Sequence, residues 1–226
     1  MSSTGAGSST NTPAPPPNLP PAAQSSAVVW EHALNCVLAL TVWGGSVGRW
    51  RALDVASRRS PVEWALATFA FEVGALLLLR SPVRRTGSMG SILAALPSVV
   101  VSAIALRLTP PASLWNITAS VLFVAGAASA SLSLLILGRS FSIFPAVRSV
   151  VGRGPYAIIR HPAYAAETVM LVGCALAIGG WGWLLAVAVV PMLVLRILAE
   201  ERLLMAEPFY RSYAQRVRWR ILPGLW

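Results

Sequence analysis

Side chains able to do chemistry gather in two short segments of this sequence. The first is Arg160-His161-Pro162-Ala163-Tyr164, preceded by Gly154-Pro155-Tyr156 and followed by Glu167. The second is Arg196-Ile197-Leu198-Ala199-Glu200-Glu201-Arg202, followed by Tyr210 and Tyr213. Gly154-Pro155 is a turn signal, and Pro162 suits the first turn of a helix. Arg160 and His161 then stand just before a helix N-terminus, where unpaired backbone N–H groups favour an anionic group such as a carboxylate. Tyr164 and Glu167 are three apart and share one face of that helix. Arg196 and Glu200 are four apart and can pair along a face, while Glu201 points about 100° away. Acids in an apolar helix are costly, which makes Glu200 and Glu201 functional candidates.

Other chemistries lack their residues. His32 and His161 are the only histidines, so no Cys/His set with metal-ligand spacing exists and no metal site is expected. No Gly-rich loop follows a strand pattern, and no Ser–His–acid arrangement can be drawn. Cys36 and Cys174 stand in apolar surroundings and read as small core residues.

The elements that must position these groups are membrane helices. Of 226 residues, 56% are hydrophobic and 12% charged, against about 45–50% and 25% in soluble domains. Mean hydropathy is +0.66. That much apolar surface excludes disorder throughout, and two cysteines exclude a disulfide scaffold. The formal net charge is +10, and all 18 basic residues are Arg. The arginines sit in short groups between apolar runs, which fits loops facing anionic lipid and not a nucleic-acid surface. Arg without Lys, with abundant Ala and Gly, is the pattern of a GC-rich genome and points to a bacterial inner membrane.

Three regions are expected. Residues 1–26 are an uncharged Pro/Ser-rich tail, predicted to be disordered, without the basic and apolar regions of a secretory signal. Residues 27–129 carry N-terminal membrane spans, and 130–226 carry the polar clusters. Thr86 to Leu106 and Trp115 to Gly138 contain no charge and are each long enough to cross a core of roughly 30 Å. Between Glu167 and Arg196 lie 28 uncharged residues, roughly 42 Å as one helix and too long for one crossing. Gly179-Gly180-Trp181-Gly182 breaks this run, so it reads as two helices in a hairpin. The hairpin returns Arg196 and Glu200 to the side of His161 and Glu167. The fold class is therefore all-α, a polytopic transmembrane bundle of five or six spans with the site on a C-terminal hairpin. With six spans, 13 arginines including Arg80, Arg84, Arg85 and Arg148 fall on the cytoplasmic side with the site, and five (Arg49, Arg51, Arg58, Arg59 and Arg107) on the other. Arg202, Arg211, Arg216, Arg218 and Arg220 read as interface anchors, and Glu31, His32 and Glu72 as structural polar groups within the bundle.

Leu137-Gly138-Arg139-Ser140-Phe141-Ser142, Gly154-Pro155-Tyr156, Arg160-His161-Pro162-x-Tyr164, Arg196-Ile197-x-x-Glu200-Glu201 and Tyr210-x-x-Tyr213 with Pro223 together resemble the isoprenylcysteine carboxyl methyltransferase and phospholipid methyltransferase superfamily. The resemblance covers about residues 130–226. It implies an integral-membrane enzyme using S-adenosylmethionine, whose cofactor pocket falls on Arg160, His161, Pro162 and Tyr164. It places Glu200 and Glu201 in holding the cofactor and ordering the site, and Arg196 in orienting the substrate. A sulfonium suits aromatic faces and carboxylates, here Tyr156, Tyr164 and Glu200, and the cofactor carboxylate suits Arg160 or the helix N-terminus. The catalytic pair is then Arg196 and Glu200. Many members have Gly two residues after the motif Tyr; here it is Ala166, a methyl that is either tolerated or narrows the pocket. The implied partners are membrane lipid and a lipophilic or lipid-linked acceptor, carboxylate or amine, with no nucleic acid. The alternative is an inactive membrane scaffold or lipid-binding protein of the same fold.

Overall fold

The computed structural model describes residues 21–79, 85–86, 89–141, 143, 146–147 and 149–226. Residues 1–20 of the expected tail, Arg80, Arg84, Ser142 and Arg148 lie outside the described residues, as do the side chains of Glu31 and Arg85. Among the described residues eight α-helices follow in order: α1 (Pro21–Ala52), α2 (Val55–Arg58), α3 (Pro61–Leu79), α4 (Met89–Leu108), α5 (Ile117–Leu137), α6 (Pro162–Ile178), α7 (Gly182–Leu204) and α8 (Pro208–Arg216). A two-residue antiparallel pair, β1 (Arg85–Thr86) with β2 (Ala146–Val147), is the one named sheet among the described residues. The fold is all-α. α1 starts at Pro21, so the last six residues of the expected tail are helical, and a proline in the first helical position gives up no intrahelical bond.

Among the described residues, three helical stretches, Pro61–Leu79, Ile117–Ser140 and Gly182–Leu204, are long and apolar enough to cross a membrane; Leu96–Leu108 and Pro162–Ile178 are shorter apolar helices. Their outer faces carry exposed large apolar side chains, among them Phe71, Val121, Leu135, Leu184, Val187 and Leu195. Such a belt is stable against lipid and costly against water.

α1 and α3 run antiparallel. Trp43 stacks on Phe71 at 5.7 Å and donates its Nε1–H to the Phe71 carbonyl at 3.2 Å, while Arg49 reaches Glu63 through two hydrogen bonds. At that end Ser57 and Ser113 are hydrogen-bonded at 3.1 Å, tying the α1–α3 and α4–α5 connections together. The β1–β2 pair ties the other two connections at the opposite end, where the polar clusters lie.

α5 and α6 meet through small residues. A Cβ built on Gly126 would stand 2.8 Å from the Met170 nitrogen, and one on Gly173 would stand 2.9 Å from both the Ala119 oxygen and the Phe123 nitrogen. Buried Ala127, Ala130, Ala166 and Cys174 continue this seam. The backbones thus touch directly, as small residues permit between membrane helices. Cys174 is buried there as expected, but Cys36 is exposed on α1, because its face of that helix is turned away from α3.

The hairpin forms where the glycines predict it. α6 ends at Ile178, Gly179 and Gly180 take positive φ of 73° and 28°, and the Gly182 N–H returns to the Gly179 carbonyl. Only glycine takes such angles without strain. A helix of 17 residues and one of 23 therefore replace a single over-long helix.

Candidate active site

The hairpin brings its two feet together. His161 is the residue just before α6, Pro162 opens the helix, and Tyr164 lies within its first turn. The Tyr164 hydroxyl donates to Glu200 Oε2 at 2.7 Å, which joins the start of α6 to the end of α7. The His161 ring stacks on the Tyr164 ring, with centroids 5.4 Å apart and planes 10° apart. The Arg196 guanidinium lies 4.7 Å from the same ring centroid. Its two terminal nitrogens donate to Ser98 Oγ at 3.1 Å and to the Ile143 carbonyl at 3.0 Å. Arg196 and Glu200 thus do not pair directly among the described residues, as their spacing suggested. Each reaches Tyr164 instead, because the helical turn between them is filled by the tyrosine ring.

The adjacent acids divide. Glu200 is partly exposed and lines a cavity, whereas Glu201 is 3% exposed and held by three donors. Arg160 Nη1 lies 3.1 Å and His161 Nε2 3.2 Å from Glu201 Oε1, and Arg220 Nε lies 2.8 Å from Oε2. The 100° step between consecutive helical positions sends one carboxylate to the cavity and the other behind it. Arg220, read from sequence as an interface anchor, is thus part of the site's support. So is the backbone beside it, where Arg160 N and His161 N donate to the carbonyls of Trp219 and Arg220, both at 2.8 Å.

Three tyrosines close the outer wall. Gly154, at a positive φ of 58°, opens a short 3-10 turn to Ala157 that buries Tyr156. The Tyr213 hydroxyl donates to the Tyr156 carbonyl at 2.7 Å, and the Tyr210 ring packs on Tyr213 at 5.6 Å. Burial pushes the Tyr213 phenol up to about 12, and pushes Tyr156 and Tyr210 up as well. A raised phenol favours the folded state below the unfolded value near 10, and that contribution is lost as pH rises through about 12. All four tyrosines of the chain are at this site. Alkaline titration at 295 nm should therefore show at most one tyrosinate by about pH 11 in folded protein, and all of them near pH 10 after unfolding. Two or more tyrosinates in folded protein by that pH would contradict this wall.

Two cavities share the wall built on Tyr164. The first, open to solvent, is lined by Tyr156, Arg160, His161, Tyr164, Arg196, Glu200, Tyr210 and Tyr213, with Ser140, Ser149 and apolar neighbours. The second reaches into the bundle among Phe69, Val73, Val99, Phe123 and Met170, with Glu167 and Ser102 as further polar groups beside Tyr164 and Arg196. Leu134, Phe141, Ala163, Tyr164 and Arg196 line both. Glu167 accepts from Ser102 Oγ at 2.8 Å and faces the second cavity, away from Tyr164's hydroxyl partner. Pro162 and Glu201 shape the site without lining either cavity, and neither does Ala166, which is packed against α5. His32 and Glu72 line neither cavity.

Three buried polar atoms of the first cavity's residues have no hydrogen-bond partner among the described residues: Arg160 Nε, Arg196 Nε and the Tyr210 hydroxyl. Such groups are costly unless a bound molecule or water completes them. The Arg160 guanidinium and the Tyr210 phenol suit a carboxylate and hydroxyl-bearing ligand, and the Glu200 carboxylate suits a cationic centre. The donor set fits S-adenosylmethionine, which carries all of these. Among the described residues no group of three or more His, Cys, Asp and Glu is placed to hold a metal.

No curated protein and no solved structure matches the chain. The family model for phospholipid methyltransferase matches residues 113–212, from just before α5 into α8. That stretch holds both feet of the hairpin and both cavity-lining carboxylates, in the region that resembled the superfamily. Residues 113–212 of this membrane protein are thus similar to the phospholipid methyltransferase family.

Proposed function

We propose that the protein transfers a methyl group from S-adenosylmethionine to a lipophilic acceptor bearing a carboxylate or an amine, at the cytoplasmic face of a bacterial inner membrane. One observation carries this reading: a polar cavity with unpartnered donors and an apolar cavity meet at Tyr164 and Arg196. A water-soluble donor and a bilayer-soluble acceptor need such a shared wall.

When bound, S-adenosylmethionine supplies an electrophilic methyl on a positively charged sulfur. Arg160 Nε, the N–H groups opening α6 and the Tyr210 hydroxyl hold its polar parts. Glu200 presents a carboxylate to positive charge, and the hydrogen bond from the Tyr164 hydroxyl fixes both side chains at the cavity. Arg196, clamped by Ser98 and Ile143, stands on the wall common to both cavities and orients the acceptor's polar group. The acceptor's apolar part fills the second cavity. Displacement at a methyl is governed by alignment, so rigid placement of the two partners is the main contribution these residues make.

Calorimetry of purified protein with S-adenosylmethionine tests the reading. Wild type should bind, and Glu200→Gln should weaken binding about tenfold or more, since it removes the charge facing the cationic centre. Wild type that binds no cofactor would overturn the proposal in favour of an inactive scaffold. Binding unchanged in Glu200→Gln would move the cofactor away from this cavity.

A further inference from the structure

The family match ends at residue 212, yet residues 217–226 make some of the closest contacts to the motif that opens α6. None of these ten residues lines either cavity. They run behind the wall. Ile159 and Trp219 form a parallel bridge, Arg160 N and His161 N donate to Trp219 and Arg220, and Arg160 Nη2 donates to the Arg218 carbonyl at 3.2 Å. Arg220 then spends its side chain on two partners: Nε on Glu201 Oε2 at 2.8 Å, and the guanidinium face on the Trp226 ring at 5.1 Å. Its backbone N–H donates to the Trp226 carbonyl at 2.8 Å, and Ile221 and Trp226 pack against the buried cluster of Ala105, Leu171, Val189, Leu193 and Ile197.

We infer that residues 217–226 form a strap that sets the geometry of the cofactor wall, with Arg220 as its positioning residue, acting through Glu201 on His161 and Arg160. Glu201 carries three cationic or ring donors on two oxygens. With Arg220 on Oε2, the carboxylate is turned so that Oε1 meets both Arg160 and His161. His161 in turn stacks on Tyr164, so a turn of Glu201 is passed to the ring that faces both cavities. Trp226 holds the guanidinium in plane, a role that a flat, delocalised cation fills and an ammonium does not.

The test has two readouts. The cofactor readout rests on the methyltransferase reading; hydrogen exchange does not. In Arg220→Ala, exchange of the Arg160 and His161 amides should rise at least about tenfold, because the carbonyls that protect them are released. S-adenosylmethionine affinity should fall about tenfold, with Arg220→Lys intermediate on both measures. In a Glu201→Gln background, Arg220→Ala should change affinity by less than about twofold, since the route through Glu201 is already broken. A residue that merely added stability would show the same loss in both backgrounds, and that additivity would overturn the inference. Unchanged exchange at the two amides in Arg220→Ala would overturn it as well. Should the alanine variant fail to fold, Arg220→Lys decides, with wild-type exchange as the refuting result. Wild type that binds no cofactor would sink the methyltransferase reading alone, leaving the strap to be decided by exchange.

Discussion

Glu201→Ala should lower the unfolding free energy by about 3–5 kcal/mol, the range seen when one member of a buried ion cluster is removed. Glu201 is 3% exposed and takes Arg160, His161 and Arg220 on its two oxygens. Without it, two guanidinium groups and an imidazole crowd one another in a place that water reaches poorly. Glu201→Gln should cost less, because the amide oxygen still accepts from one partner. Glu200→Gln should stay within about 1 kcal/mol, since it alters a single partly exposed hydrogen bond. Unfolding in graded detergent mixtures checks the order of the three variants. Equal stability of Glu200→Gln and Glu201→Ala would mean that the two neighbours do not divide their roles as the geometry requires.

Arg196→Met should reduce methyl transfer by about 100- to 1,000-fold while changing S-adenosylmethionine affinity less than about threefold. The magnitude is that of removing one preorganised donor from a dry site. Arg196 stands on the wall common to both cavities and makes no contact with the Glu201 cluster among the described residues, so its loss falls on transfer. Arg196→Lys should not restore the rate, because one ammonium cannot reach Ser98 and Ile143 while lying flat on Tyr164. The assay is incorporation of labelled methyl from S-adenosylmethionine into the organic-soluble fraction of a total membrane lipid extract. Full incorporation by Arg196→Met would remove the residue from the reaction.

The hairpin and its consequence were legible in the sequence because they rest on local rules. Glycine is the residue that takes positive φ, and 28 uncharged residues exceed one crossing, so the break at Gly179-Gly180 needed no tertiary information. The divergence of Glu200 from Glu201 was likewise a matter of helical angle. Which partners each acid would meet was not readable. Arg220 reaches Glu201 across 19 positions from an irregular segment beyond α8 that has no periodicity, and its chemistry is the same as that of the exposed arginines around it. Ser98 and Ile143, which clamp Arg196, are ordinary residues whose role appears only when α4 and the α5–α6 connection close around α7. Ala166 shows the converse. Compared with a family position it left open a tolerated methyl or a narrowed pocket, and its methyl belongs to the seam with α5.

That seam has a consequence for the molecules the protein can serve. Where backbone meets backbone at Gly126 and Gly173, α6 has no intermediate resting place along α5, and sliding by even part of a turn meets a collision. The height of Tyr164 along α5 is therefore a constant of the fold. If the proposed methyl transfer holds, the acceptor would have to bring its own reactive atom to that level. The length between that atom and the first bulky part of the acceptor would then be a quantity the bundle measures, in the manner of a ruler.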